Sequence, residues 1–350
     1  MYATANRLTL KEYTLNILNG SSLGIVITLI PAALTSQLLK LFPAGPVVSE
    51  ITMMVTVVQS LLAAVAAVVV GHMLKLQIMD TACIALASFV SSGAIVTLPK
   101  NAGYALAGTG SILNIMLTLF ITTGIVLVLK DHLGQLKIVL EPTLVLLIGG
   151  GIGLLTLKPM VAVQTAVGDV VAAATHLTPI LMGVALAVLF AILILSPLST
   201  VGIATAITLS GVGSGAANAG IVVASFTLAW MGASVNPLGG TLAHFLGSPK
   251  IQMANMLRKP QLFIPVIIGA AITGATAAAL NLNGTPFSAG FGFSGLIGPL
   301  TAWQESTGAM VGVRVLIAFV IVPVVLAGLL NFIFVRQLHL VHPEDLKLPD

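Results

Sequence analysis

Apolar runs of membrane-spanning length follow one another along almost the whole of this chain. A transmembrane helix needs about 20 largely apolar residues. Only 7% of the residues are charged, whereas a water-soluble domain carries about 25%. A chain of 350 residues with so few charges cannot cover its surface for contact with water, so its outer surface must face lipid. The apolar runs lie at 15–41, 47–71, 78–98, 106–130, 138–157, 179–196, 199–230, 262–281 and 311–335.

These runs predict an all-α polytopic membrane protein with about ten crossings, forming a single transmembrane domain over residues 1–350. Two stretches do not suit a regular span. Residues 158–178 mix polar and small apolar side chains, which favours an amphipathic helix at the membrane interface. Residues 231–249 are interrupted by Asn, Pro and Gly, which predicts a broken or re-entrant crossing. The polar C-terminal stretch HPEDLKLPD is expected to be frayed.

The basic residues between the runs predict the orientation. Placing most of them in the cytoplasm gives cytoplasmic N- and C-termini and an even number of crossings, although Lys40, Lys100 and Lys158 oppose this arrangement. The formal net charge of +4 is spread over short loops, which argues against a nucleic-acid partner. The residues that set the orientation are Arg7, Lys11, Lys75, Lys130, Lys137, Lys250, Arg258, Lys259 and Arg336.

Two Asn/Gly-rich stretches in the chain resemble each other. Residues 98–110 read LPKNAGYALAGTG and residues 280–292 read LNLNGTPFSAGFG, with five identities at a constant spacing. The similarity predicts an internal two-fold repeat over about 14–157 and 199–335, joined by a linker at 158–198. Duplicated transporter folds place their sites where broken helices meet near the bilayer midplane. Chance similarity between segments rich in Gly, Ala and Leu is the alternative.

Each Asn/Gly-rich break predicts part of a site for a polar solute. Non-helical backbone at membrane depth persists only when it is buried in protein or faces water, and the segment 283–295 contains four glycines and a proline. Neutral donors and acceptors suit a hydroxylated solute, whereas ordinary turns outside the membrane are the alternative. The candidate side chains are Asn283, Thr285, Ser288 and Ser294 in this break, and Lys100, Asn101, Tyr104 and Thr109 in the other.

Four further polar residues are candidate substrate ligands. Asn236 and His244 lie in the irregular stretch after 231, and Gln304 and Glu305 follow the second break. An ionisable group at membrane depth suggests function, and a histidine changes charge near neutral pH. The alternatives are an interfacial histidine and a solvated helix end. Glu141 before Pro142 instead suits the first turn of a helix.

Motifs for autonomous chemistry are absent from the sequence. The glycine-rich stretches lack the Gly-Lys-Ser/Thr ending that cradles phosphate, and no zinc pattern or nucleophile elbow is present. The single cysteine, Cys83, lies in an apolar run, which leaves no internal disulfide and no thiolate cluster. We therefore expect no catalytic residue, no metal site and no cofactor, with Na⁺ or H⁺ as the only coupling ion to consider. The small-residue run Gly211–Gly220 favours close helix packing, with Asn218 bridging helices or touching solute.

Three stretches together resemble a known family. They read LNGSSLGIVITLIPAALTSQLLK (18–40), GSPKIQMANMLRKPQLFIP (247–265) and NGTPFSAGFGFSGLIGP (283–299). They are similar to bacterial integral membrane proteins of the phosphotransferase-system enzyme IIC type, which include perfringolysin-regulator-like proteins. The resemblance extends over nearly the whole chain, and the two later stretches are its most specific parts.

The resemblance implies a sugar-permease-like component of the bacterial inner membrane. In enzyme IIC proteins the sugar is bound in a membrane pocket, carried across and phosphorylated by a separate IIB domain. Such permeases are usually homodimers with a glutamate and a histidine in the site. By position only, Glu305 and His244 are the nearest counterparts, without a motif match. No IIA or IIB domain is visible here, so phosphotransfer would need separate partner proteins, and we do not expect an enzyme.

Three functions remain open from the sequence. The leading prediction is a transporter of a small polar solute, sugar or sugar-like, bound between the two Asn/Gly-rich breaks. The first alternative is a Na⁺- or H⁺-coupled secondary transporter of a small organic anion, for which Lys100 and Arg314 would be suitable ligands. The second alternative is a membrane sensor or regulator that binds its ligand without moving it. Short loops without an output domain argue against the sensor.

Overall fold

The computed structural model describes residues 8–39, 42–99, 102–130 and 132–348, and most of them are helical. The one sheet within these ranges is a hairpin of β1 (Ile95–Thr97) and β2 (Tyr104–Leu106), in which Thr97 pairs with Tyr104. The α-helices are α1 (Leu10–Leu39), α2 (Pro46–Ser60), α3 (Leu62–Met73), α4 (Ile78–Val90), α5 (Ile112–Leu129), α6 (Lys137–Leu144), α7 (Gly151–Ala174), α8 (Pro179–Ile194), α9 (Thr200–Ala206), α10 (Gly211–Met231), α11 (Leu238–Leu242), α12 (Met253–Arg258), α13 (Phe263–Ala279), α14 (Ile297–Glu305), α15 (Val311–Leu316) and α16 (Val322–Asn331).

Five helical stretches of the described chain are long and apolar enough to cross a membrane. A sixth is gained if α2 and α3, which meet at a bend of 53°, are counted as one span. The prediction of an all-α polytopic membrane protein therefore holds, whereas about ten crossings are not confirmed. The five stretches are Ile112–Leu129, Gly134–Ala174, Gly211–Met231, Pro260–Ala279 and Val311–Gln337.

The difference in count arises where predicted spans are shortened or divided. The run 78–98 forms only the 13 residues of α4 before the chain turns into the β-hairpin. The run 179–196 forms the 16 residues of α8. The run 199–230 is divided between α9 and α10. The hydropathy of these runs shows where the residues are apolar, but it does not show where each helix ends, so it overestimates the number of spans.

The stretch 158–178 does not form a helix of its own. Its residues up to Ala174 continue α7, which follows α6 through a π-helical turn at Val145–Gly150. The prediction of a separate interfacial helix there is therefore wrong. Irregular backbone after residue 231 agrees with the sequence, because α11 and α12 are short and are separated by π and 3₁₀ turns.

The chain divides into two compact units. Unit 1 comprises Met1–Thr28 and Val57–Pro159, and unit 2 comprises Leu29–Thr56 and Met160–Asp350. In unit 1, α1 lies close to α3, because a Cβ on Gly24 would be 2.5 Å from the Cα of Ala66. The buried Asn114 amide ties α4, α5 and α7 together by donating to the carbonyls of Ser91 and Gly153, at 2.8 and 2.9 Å.

Unit 2 is built around α10, which is buried along almost its whole length. Small residues allow α8 to pack at very short distances against both α10 and α13. A Cβ on Gly220 would lie 2.2 Å from the carbonyl oxygen of Ala187, and Gly183 and Gly274 face each other just as closely. The predicted role of the Gly211–Gly220 run in helix packing is therefore confirmed.

The two Asn/Gly-rich stretches differ in local structure. The first, residues 98–110, contains strand β2, whereas residues 280–292 form turns that include a 3₁₀ turn at Ser288–Gly290. The internal two-fold repeat is not confirmed by this comparison.

Candidate functional site

The glycine-rich segment, Asn283–Leu296, is an irregular connection between α13 and α14 in unit 2. Its backbone adopts left-handed conformations at Gly292, Gly295 and Leu296. Glycine adopts such φ angles without steric cost. The segment begins beside the N-terminus of α10, where Gly211 and Gly284 exchange both of their N–H···O bonds at 2.9 and 3.0 Å.

Side chains of α10 satisfy the buried backbone of this segment. The Oδ1 of Asn218 accepts the N–H of Gly292 at 3.0 Å, and its Nδ2 donates to Ser288 Oγ at 3.4 Å. One turn earlier, Ser214 Oγ donates to the carbonyl of Thr285 at 2.8 Å. Both α10 side chains are fully buried. Because buried N–H and C=O groups need partners, these two residues hold the segment in its irregular shape.

Several of the predicted site residues are engaged inside the segment. Thr285 Oγ1 accepts the N–H of Ser288 at 3.2 Å, and Ser288 Oγ donates back to the Thr285 carbonyl at 3.0 Å. Ser288 and Ser294 are buried. Their hydroxyl groups therefore face protein in this structure. The sequence analysis did not identify Ser214, which contacts Thr285 and Ser288, as part of this region.

Polar groups remain accessible where the segment begins. The N–H of Asn283 donates to Ser306 Oγ at 2.9 Å, and its Nδ2 approaches the carbonyl of Glu305 at 3.4 Å. The side chain of Asn283 is half-buried, whereas Gln304 and Glu305 are exposed. The structure therefore brings three predicted site residues together at the end of α14.

Arg314 closes the same corner without an acidic partner in the described chain. Its Nη1 donates to the carbonyl of Leu280 at 2.9 Å, and its Nη2 donates to the carbonyl of Thr307. Neither is a carboxylate, and the described residues place no carboxylate within ion-pair distance of it. The guanidinium group thus leaves a positive charge beside the carbonyls of Leu280 and Thr307.

Three half-buried phenylalanines pack where the segment meets the turn Ala243–Gly247. The ring of Phe226 stacks on Phe245 with centroids 4.9 Å apart, and Phe293 meets Phe226 edge-on at 5.4 Å. We call these three residues the aromatic cluster. It joins α10, the π-helical turn Ala243–Gly247 and the glycine-rich segment.

Asn236 and His244 lie in a different environment, the docking site of the C-terminal tail. Asn236 Nδ2 and Gln252 Nε2 both donate to the carbonyl of Leu346, at 2.9 and 2.8 Å. His244 Nε2 lies 3.0 Å from Gln252 Nε2, and its Nδ1 lies 2.8 Å from the carbonyl of Gly240. Because both ring nitrogens of His244 already have partners within the protein, its imidazole has a structural role here.

Burial changes the ionisation of two residues in this region, which lies outside the five candidate spans. Burial lowers the pKa of His244 to about 4, so the imidazole is neutral at neutral pH. Burial also lowers the pKa of Lys250 to about 7. Lys250 Nζ donates to the carbonyls of Ser196 and Leu198 at 2.6 and 2.9 Å. These bonds fasten the turn after α8.

The first Asn/Gly-rich break is described only in part. Lys100 and Asn101 lie outside the described residues. Tyr104 is exposed on β2, and the half-buried Thr109 donates to the carbonyl of Gly110 at 3.2 Å. No group of three or more His, Cys, Asp or Glu residues that could hold a metal occurs among the residues that the structure describes.

Comparison with known proteins gives one match. A family model described as "Phosphotransferase system, EIIC" matches residues 15–348, which is nearly the whole chain. No curated protein and no solved structure matches the chain.

Proposed function

Because this chain belongs to the phosphotransferase-system EIIC family, we propose that it binds one small sugar-like solute at the glycine-rich segment and carries it across the membrane. EIIC components are the membrane-embedded, sugar-permease parts of that system and are not catalytic alone. The chain is therefore a multi-pass membrane transport protein, and phosphate transfer belongs to other proteins.

One observation carries the choice of site within unit 2. The buried side of the glycine-rich segment is held by Asn218 and Ser214, while Asn283, Gln304 and Glu305 remain accessible at its open end. Two amides and a carboxylate supply both donors and acceptors for hydroxyl groups. Anchoring the backbone in advance lowers the ordering cost of binding.

The aromatic cluster supports a sugar over a more uniformly polar solute. The C–H face of a sugar ring is apolar, and pockets for small molecules combine aromatic walls with a few oriented polar groups. Phe293 belongs to the glycine-rich segment itself, and Phe245 stacks on Phe226 beside it. This arrangement offers an apolar surface on the same segment as Asn283.

Other parts of the proposal rest on the sequence and the family. These are the contribution of Lys100, Asn101, Tyr104 and Thr109 from the first break, the additional crossings and the two-fold repeat. The same basis supports the single-domain organisation and the location in the bacterial inner membrane with cytoplasmic termini. It also supports a homodimer and separate IIB and IIA partners.

The site is tested by binding to purified protein. A thermal-shift screen against sugars, sugar acids and small carboxylates, with and without Na⁺, identifies the solute. Asn283→Ala is then expected to weaken its affinity at least about fivefold, because a lost hydrogen bond costs about 1 kcal/mol. Glu305→Gln tests the charge, and Asn331→Ala in α16 is the matched control. Unchanged affinity in both site variants would remove the site from this corner.

A second candidate function is supported by Arg314. Its guanidinium group has only carbonyl partners in the described chain, which would suit a small organic anion moved with Na⁺ or H⁺. Uptake into liposomes driven by an ion gradient, without any IIB protein, would favour this reading. Uptake stimulated by a IIB protein would favour the sugar permease, and binding without uptake in either assay would indicate a sensor.

A further inference from the structure

In unit 1, α4 and α6 bring two carboxyl groups to a single lysine. Lys137 Nζ lies 2.6 Å from Asp80 Oδ1 and 3.5 Å from Glu141 Oε2. The side chains of Asp80 and Glu141 are 2% and 0% exposed, whereas that of Lys137 is 14% exposed. The sequence had suggested the first turn of a helix for Glu141, but the residue lies in the middle of α6 and points into protein.

The two carboxyl groups have very different partners. Asp80 has the shorter contact with Lys137, and its Oδ2 accepts the N–H of Gln77 at 3.3 Å in the first turn of α4. A helix N-terminus favours a negative charge. Both oxygens of Glu141 lack a hydrogen-bond partner although the side chain is completely buried. Asp80 therefore has the close ion pair with Lys137 and a backbone donor, whereas Glu141 has only the longer contact with Lys137 at 3.5 Å.

The charges of these three residues do not balance. Two carboxylates and one ammonium group leave one negative charge, and a buried charge without a partner is strongly unfavourable. Among the described residues, α4 itself adds the buried thiol of Cys83 one turn after Asp80. Helix α3, which packs against α4, adds His72 in its last turn, and Lys75 follows it; both side chains are exposed. Helix α5 and the turn Val145–Gly150 contribute none.

We propose that Glu141 binds one proton, which neutralises the group formed with Asp80 and Lys137. A metal cation would need several oxygen ligands, and the ammonium group of Lys137 already lies between the two carboxyl groups. The proton can arrive from the side of Lys137 and the exposed Gln77. This site is separate from the proposed solute site and does not depend on the nature of the solute.

Infrared spectroscopy of the purified full-length protein counts the protons directly. At neutral pH the wild type is expected to show the carbonyl band of one buried protonated carboxyl group. Glu141→Gln abolishes this band. Asp80→Asn also abolishes it, because Lys137 then neutralises Glu141 alone. Lys137→Gln roughly doubles the band, because two protons are then needed for neutrality. Glu344→Gln, which removes an exposed carboxyl group outside the five candidate spans, leaves the band unchanged.

Two results would overturn the proposal. One is a protonated-carboxyl band that is absent from the wild type or persists in Glu141→Gln. The other is thermal stability that rises with Na⁺ at constant ionic strength in the wild type but not in Glu141→Gln, which would assign the site to a metal cation. Glu141→Gln has the shape of the protonated acid and is expected to fold even if the other variants do not. The infrared experiment contains no solute, so a negative result would not contradict the transport proposal. A negative result in the solute-binding experiment would likewise not contradict the proton site.

Discussion

Buried asparagines hold irregular or closely packed backbone in both units by using both ends of the side-chain amide. In unit 1, Asn114 donates to two carbonyls and accepts from Thr156 Oγ1 at 2.8 Å. In unit 2, Asn218 accepts the N–H of Gly292 and donates to Ser288. An apolar side chain at either position would leave backbone groups without partners where water cannot reach them.

Asn218→Ala is expected to lower the free energy of unfolding by about 1–3 kcal/mol, because the N–H of Gly292 loses its acceptor. The melting temperature of the purified protein in detergent measures this change. Ser225→Ala is the matched control in the same helix, since its hydroxyl bonds only to the carbonyl of Ile221 one turn earlier. Equal melting temperatures for the two variants would show that Asn218 does not anchor the segment.

The ionisation of His244 predicts a dependence of stability on pH. The folded protein holds this imidazole at a pKa of about 4, whereas an unfolded chain has a value near 6.5. Below pH 6.5 the unfolded state therefore binds the proton first. The stabilisation is complete above pH 6.5 and is lost as the pH falls towards 4, by on the order of 3 kcal/mol.

Melting temperatures between pH 4 and pH 7 test this prediction. The wild type is expected to lose stability on acidification more steeply than His244→Gln. His339→Gln, at an exposed position, should follow the wild type. Parallel curves for the wild type and His244→Gln would mean that another group controls the acid sensitivity.

At the scale of helices, the space between α10 and its neighbours depends on residues without side chains. A Cβ at Gly220 would lie 2.2 Å from a backbone oxygen of α8, and a Cβ at Gly215 would lie 2.0 Å from the carbonyl oxygen of Leu282. In a membrane, helices associate mainly through such close packing, because lipid is as apolar as leucine.

Gly220→Ala is expected to destabilise the protein by about 1–3 kcal/mol, since one added methyl group overpacks the α8–α10 contact. Gly151→Ala is the matched control, because its Cβ would meet nothing within 4 Å. There the change should be neutral or stabilising by up to about 1 kcal/mol, from the higher helix propensity of alanine. Melting temperatures that fall equally in both variants would contradict the packing argument.

At the scale of the whole chain, the C-terminal tail is part of the fold. The backbone of Leu346 accepts from Asn236 and Gln252, and Lys259 forms an ion pair with Asp345 at 2.6 Å. Leu346 itself is fully buried. The prediction of a frayed tail is wrong for residues up to 348, because it considered only the polarity of the tail and not the amide side chains far away in sequence that bind its backbone.

Leu346→Ala is expected to lower the free energy of unfolding by about 2 kcal/mol or more, as for other large-to-small changes in a core. Glu344→Ala, at an exposed position two residues earlier, should remain within about 0.5 kcal/mol of the wild type. Limited proteolysis followed by mass spectrometry checks the same point, because only Leu346→Ala should release the tail. Release from both variants would mean that the tail is not held by this side chain.

The sequence by itself determined the membrane class, the family and where the chain is apolar, although not where several of the predicted spans end. These follow from local properties, namely hydropathy over a window and the order of residues in three recognisable stretches. It also located the second break and the packing role of the Gly211–Gly220 run, since backbone strain and small side chains are visible in the residues themselves.

Only the tertiary structure decided which polar residues are already engaged. Ser288 and His244 looked as available as Asn283, yet Asn218, 70 residues earlier, engages Ser288, and Gln252, which also bonds to the C-terminal tail, engages His244. The same reason hid the site at Glu141. Asp80 lies 57 residues from Lys137 and 61 residues from Glu141, and the two carboxyl groups meet one ammonium group only when folding brings all three together away from water. A sequence records which groups can bond or ionise, whereas the fold decides which of them remain without a partner.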